Sequence, residues 1–282
     1  MEPMVTSVRI PNTLSIAGVD PSGGAGILAD VKAMSALGAY ACAVVAALTA
    51  QNTRAVTHIE PVAPAFVRAQ LDTLFADVRI DAVKIGMLGQ VPVIETVAEA
   101  LSKYLPQHRV LDPVMVAKSG DALLEPRAVG ALRECLLPLA TLITPNLPEA
   151  GVLLDERPVE SLREMYRVAE RLRERMDHAR RVWVMLKGGH LPDGDAVDLL
   201  HDGDLMIELR APRVNTRNTH GTGCTLSAAL AALLPQCPDV PTAARQAKAY
   251  LSEAIAQADR LSVGQGHGPV HHFHRGVSGA VG

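Results

Sequence analysis

The segment HGTGCTLSAAL, residues 220–230, runs two glycines, three hydroxyl residues and a cysteine along the start of an alanine-rich helix. Free N–H groups and the positive end of the helix dipole make such a start an anion site. Gly221 and Gly223 let the backbone come close to the anion, and Thr222 sits between them. Cys224 has three readings: an inert small residue, a thiolate favoured by the helix end, or a nucleophile needing a base such as the nearby His220. KGGH, residues 187–190, places Lys187 at a strand end, either to neutralise a phosphate or as a surface lysine before a turn. In TPNLPEA, residues 144–150, Asn146 and Glu149 stand three apart. They suit a hydrated Mg²⁺, and equally a capping box. Asp112 in LDPVM is a metal ligand, a base, or the start of an Asp-Pro turn. GVDPSGGAGILAD, residues 18–30, is neither a GxGxxG fingerprint nor a Walker loop. It is a tight strand–helix turn, or a set of amides with Asp20 facing a small ligand.

These residues need a scaffold that gathers strand ends. Short apolar runs alternate with helical patterns: TLSIAG, YACAVVAAL, DAVKIGML, RVLDPVMV, TLITPN and RVWVMLKGG read as strands. Helices lie between them, with Val67, Leu71, Leu74, Phe75 and Val78 on one face and Ile94, Val97, Ala98, Leu101 and Leu105 on another. A late hairpin turning at Asp202-Gly203 breaks the rhythm. Helices over Thr222–Leu234 and roughly Thr242–Leu261 follow. The succession predicts an α/β domain, a mainly parallel sheet covered by helices, with ligands outside the carboxyl ends of the strands. No linker divides the 282 residues.

Composition narrows the function. Hydrophobic residues are 48%, enough for a large core, and aromatics only 3%, which favours buried aliphatic strands. A net charge of −3 with scattered basic residues argues against nucleic acid. Cys42, Cys135, Cys224 and Cys237 form no CxxC pair, so zinc and thioredoxin-like chemistry are not indicated, and free thiols fit a reducing cytoplasm. The N-terminus carries no signal-peptide pattern, and the run YACAVVAALTA is too short to span a bilayer. The histidines of GPVHHFH read as surface or packing residues.

Taken in order, AGVDPSGGAGILADVKA, TAQNT, KIGML, LDPVMVAKSGD, ITPNLPEA, KGGH, NTHGTGCTLSAALAA and GPVHHF resemble the hydroxymethylpyrimidine/phosphomethylpyrimidine kinases of thiamine biosynthesis, within the ribokinase-like superfamily. The resemblance runs from about Leu14 to Phe273. It implies a three-layer αβα sandwich and one kinase domain over 1–282, with 1–11 and 275–282 peripheral. It also implies two ATP-dependent phosphorylations, of 4-amino-5-hydroxymethyl-2-methylpyrimidine and then of its monophosphate. By the same resemblance Gly221, Thr222, Gly223 and Cys224 form the anion hole. Lys187 steadies the transferred charge. Asn146 and Glu149, with Asp112, belong to the Mg²⁺ and nucleotide region. Gln51 reads the pyrimidine, with Asp20, Ala25, Thr49 and Met87 around it. Cys224 stands where related sugar kinases carry an Asp base, so its role is that of a base or of a backbone N–H donor. The resemblance leaves room for a monovalent cation and implies a cytoplasmic homodimer without membrane or nucleic-acid partners. A vitamin B6 kinase and a non-catalytic pyrimidine sensor are the competing expectations.

Overall fold

The structure, a computed structural model, describes residues 9–176, 181–189, 191 and 194–276. The outermost peripheral residues, 1–8 and 277–282, lie outside the described residues, as does His190 of KGGH. Nine strands form one sheet: β1 (Asn12–Val19), β2 (Tyr40–Gln51), β3 (Val56–Pro61), β4 (Ala82–Ile85), β5 (His108–Leu111), β6 (Leu142–Ile143), β7 (Trp183–Lys187), β8 (Ala196–His201) and β9 (Met206–Ala211). Their order is β3-β2-β1-β4-β5-β6-β7-β8-β9. β2, β1, β4, β5, β6 and β7 run parallel, while β3, β8 and β9 are antiparallel additions at the two edges.

The helices are α1 (Gly26–Ala36), α2 (Pro64–Asp77), α3 (Val91–Tyr104), α4 (Ala128–Ala131), α5 (Leu147–Leu154), α6 (Leu162–Glu174), α7 (Thr222–Leu233) and α8 (Val240–Ala256). Alternation along each strand sends side chains to two cores. Val83, Ile85, Val184 and Leu186 join Val67, Val97, Leu153 and Leu172 under α2 to α6. Ala82, Trp183 and Met185 join Met34, Ala229, Leu230 and Ala247 under α1, α7 and α8. The three-layer αβα arrangement expected from the sequence is therefore what the chain adopts, late hairpin included.

Two elements differ from the sequence reading. β3 was not expected. Asn52 starts it: its side-chain oxygen accepts from the Arg54 and Ala55 amides and turns β2 back on itself. The strand expected over RVLDPVMV ends at Leu111, because Asp112 and Pro113 break the ladder. The chain beyond it forms a small hairpin flap instead, closed by a Val116–Ala122 bridge.

Candidate active site

Parallel strands place the ends of β1, β4, β5, β6 and β7 on one side, and α7 begins there too. A cavity of about 460 Å³ opens at this edge. Asp20, Ala25, Thr49, Gln51, Met87, Asp112, Asn146, Glu149, Lys187, Gly221, Thr222, Gly223 and Cys224 all line it. Residues spread over two hundred positions of sequence thus share one space.

The two glycine-rich segments meet each other. Gly221 caps α7 in the left-handed region at φ 76°. A Cβ there would overlap the carbonyl oxygen of Gly24, and one on Gly24 would overlap the His220 ring. So these glycines serve loop-to-loop packing. The contact is locked by Asp20. Its carboxylate meets His220 Nε2 at 2.7 Å and accepts from the Ser22 amide, the Ser22 hydroxyl and the Ala25 amide. Burial would raise the Asp20 pKa, but the bonds from His220 and Ser22 outweigh it and hold the carboxyl below its usual range. Asp20 is thus committed to protein partners that set the shape of the hole. A Cβ on Gly223 would come 3.2 Å from Lys187 Nζ, so that glycine keeps the lysine close to the first turn of α7.

Lys187 lies between two acids, 3.1 Å from Asp112 and 3.9 Å from Glu149. Asp112 also accepts from Thr144 and Ser227, so both its oxygens are engaged. Burial pushes Asp112 up, yet Lys187 and Lys84 pull it lower than an ordinary carboxylate. Glu149 goes the other way. Burial carries it up to about 7, and Asp112 adds to the rise against the pull of Lys187. The capping box is present: Asn146 Oδ1 accepts from the Glu149 amide and Glu149 Oε2 from the Asn146 amide, each at 2.8 Å. Two buried carboxylates sharing one ammonium leave excess negative charge. That charge, and a free Glu149 Oε1 of hard donor type, fit Mg²⁺. Among the described residues no three His, Cys, Asp or Glu side chains gather as a full metal cage. The fit is therefore to an ion held largely by phosphate and water.

Cys224 does not behave as a helix-end thiol alone would. Burial pushes its pKa up to about 11, with Asp30 and Asp112 adding to the rise and Lys84 opposing it. The expectation of a thiol brought towards neutrality by the dipole is corrected here, since desolvation outweighs the helix end. Lys84 lies on β4, on the cavity side of the sheet. It is fully buried under the cavity and donates to Asp30 on α1 at 2.7 Å, with Ser15 donating to the same oxygen at 2.6 Å.

Elsewhere in the cavity wall, Thr49 Oγ lies 3.0 Å from the Val19 carbonyl oxygen and 3.1 Å from Gln51 Oε1. Met87 packs nearby, 3.0 Å from where a Gly18 Cβ would stand. The sequence reading also missed the flap residues Val114 to Lys118, which wall the cavity. The Asp-Pro break that starts them was the available signal. His272 of the C-terminal histidines is a packing residue: it bonds Thr225 at 3.1 Å, and burial lowers its pKa to about 3, keeping the ring neutral. No helix among the described residues is long and apolar enough to cross a membrane.

The family described as phosphomethylpyrimidine kinase matches residues 20–271. The chain is 54% identical over 263 residues to the hydroxymethylpyrimidine/phosphomethylpyrimidine kinase of Escherichia coli, covering 93% of this chain and 97% of that one. Among solved structures it is similar to phosphomethylpyrimidine kinase from Clostridium difficile, with TM-score 0.75 and 39% identity over 87% of this chain and 99% of that one. It is also similar to an ADP complex of Bacillus subtilis pyridoxal kinase, with TM-score 0.86 and 34% identity over 95% and 99%.

Proposed function

The chain belongs to the phosphomethylpyrimidine kinase family, and from that membership and the cavity we infer the reaction and the part each residue plays in it. The protein is an ATP-dependent kinase of thiamine biosynthesis. It phosphorylates 4-amino-5-hydroxymethyl-2-methylpyrimidine and then the monophosphate, giving the diphosphate. The observation that carries the reading is the meeting, in one cavity, of the α7 N-terminus, Lys187, Gln51 and Met87.

Phosphoryl transfer depends mainly on position and on neutralising spread-out charge. The amides of Gly221 to Cys224 receive the transferred oxygens, and Lys187 adds a positive charge beside them. Mg²⁺, when bound, would supply neutralisation of the phosphate charge, and Glu149, Asn146 and Asp112 are the residues that would hold it. Thr49 has one proton for two acceptors. Thr49 shares that proton between the Val19 carbonyl and Gln51 Oε1, and the Gln51 amide nitrogen is left to donate to a ring nitrogen of the pyrimidine. Cys224, in its minor thiolate form, takes the proton of the acceptor hydroxyl. The chain works as one kinase domain, and as a cytoplasmic homodimer.

Pyrimidine-dependent ADP release by the purified protein, with mono- and diphosphate appearing in turn, tests the reading. Absence of turnover overturns it. The likeness to a pyridoxal kinase structure favours a second reading, a vitamin B6 kinase. Turnover of pyridoxal equal to or above that of the pyrimidine would select it.

A further inference from the structure

The two transfers place different demands on one cavity. In the first, the attacking group is a neutral hydroxymethyl. In the second, an oxygen of the substrate's own phosphate bonds to the γ-phosphorus of ATP. The bond from that phosphorus to the bridging oxygen breaks, and its electron pair leaves with ADP. A phosphate monoester loses its second proton near pH 6, so the attacking oxygen has no proton to surrender at neutral pH. The acceptor then brings about two negative charges. It cannot remain in the anion hole, because the next γ-phosphoryl occupies it. The acceptor phosphate needs a cation elsewhere in the cavity.

The basic groups lining the cavity are Lys84, Lys118, Lys187 and His220. Lys84 is held by Asp30 at 2.7 Å, Lys187 by Asp112 at 3.1 Å and His220 by Asp20 at 2.7 Å. Lys118 has no hydrogen bond or ion pair among the described residues. It sits at the tip of the flap, where Ala117 and Asp121 pair through backbone at 2.8 Å and Gly120 turns at φ 95°. The flap is fixed from outside: Asp121 Oδ2 accepts from the Val56 amide at 2.9 Å and from Ser119 at 2.6 Å. The β3 edge thus holds the flap tip, with its lysine, at the cavity wall.

We propose that Lys118 binds the phosphate of the monophosphate acceptor and so sets specificity for the second transfer. This rests on the two-step kinase reading above. The test is steady-state kinetics of the full chain, Lys118→Met and Lys118→Arg, with the pyrimidine alcohol and with its monophosphate as separate acceptors. Lys118→Met is expected to raise KM for the monophosphate about tenfold more than KM for the alcohol, a contact to a charged group discounted for exposure. Lys118→Arg restores most of the loss. Added salt weakens monophosphate use by the parent more than by Lys118→Met. Equal rises for both acceptors, or no rise for the monophosphate, overturn the proposal while leaving the kinase reading intact. A parent protein that turns over neither acceptor overturns the kinase reading and this inference with it.

Discussion

The contrast between a hydroxyl and a phosphate acceptor makes Cys224→Ala the most informative substitution. An alcohol must lose a proton as its oxygen attacks; the monophosphate, already ionised, need not. With a thiol pKa of about 11 in the free protein, only about 3 in 10,000 molecules carry a thiolate near pH 7.5. If that thiolate is the base, kcat/KM for the alcohol rises about tenfold per pH unit across the neutral range, because this parameter follows the free enzyme. Cys224→Ala is expected to lower kcat for the alcohol by about 10² to 10⁴ and to abolish the slope. For the monophosphate the same variant is expected to lose less than about fivefold, since only general-base help is removed. The assay is chromatographic separation of the two phosphorylated products, with each acceptor supplied alone over a range of pH. Equal losses for both acceptors would refute the proton-transfer argument and leave the residue acting through its amide or its shape. An unchanged alcohol rate would reduce the thiol to a filler. A flat pH profile in the parent would refute a thiolate base of raised pKa.

Gln51→Leu is expected to raise KM for the pyrimidine far more than KM for ATP, and Thr49→Val to reproduce part of that rise by freeing the Gln51 amide; equal effects on both substrates would make the pair structural. Gly221→Ala is expected to lower thermal stability and remove activity, because the new Cβ meets the Gly24 carbonyl and φ is 76°; a folded, active variant would refute the loop-to-loop packing. Glu149→Gln is expected to raise the Mg²⁺ requirement in activity titrations. Glu149 has its folded pKa raised, from 4.5 to about 7, so its contribution is fully present below pH 4.5 and is lost as pH rises through about 7. Metal-free Glu149→Gln should therefore gain stability over the parent at pH 8 relative to pH 4, by at most about 3 kcal/mol, read as a difference in unfolding midpoint; a pH-independent difference would refute it.

What could be read from residues alone were features whose causes are local. Buried parallel strands are apolar runs, and a run that stops by Asn146 or Lys187 marks the sheet edge on which the cavity opens. The Asn146–Glu149 capping box is likewise a three-residue pattern, and the structure contains it. The rest depends on partners distant in the chain. Lys84 is legible as part of a strand end, but its ion pair needs Asp30, 54 residues away. The flap is held by an Asp121–Val56 bond across 65 residues, which no periodicity announces. Cys224 shows how local reasoning fails in sign: the helix end favours a thiolate, but the depth set by α1, β4 and β5 decides against it. The glycines make the same point in geometry. Gly221 and Gly24 look like two separate ligand turns, but a Cβ on Gly221 would meet the Gly24 carbonyl and one on Gly24 the His220 ring, and Asp20 fastens the turns through His220. The turn at the start of α7 is therefore shaped by the turn after β1, two hundred residues earlier, and the two motifs act as one object.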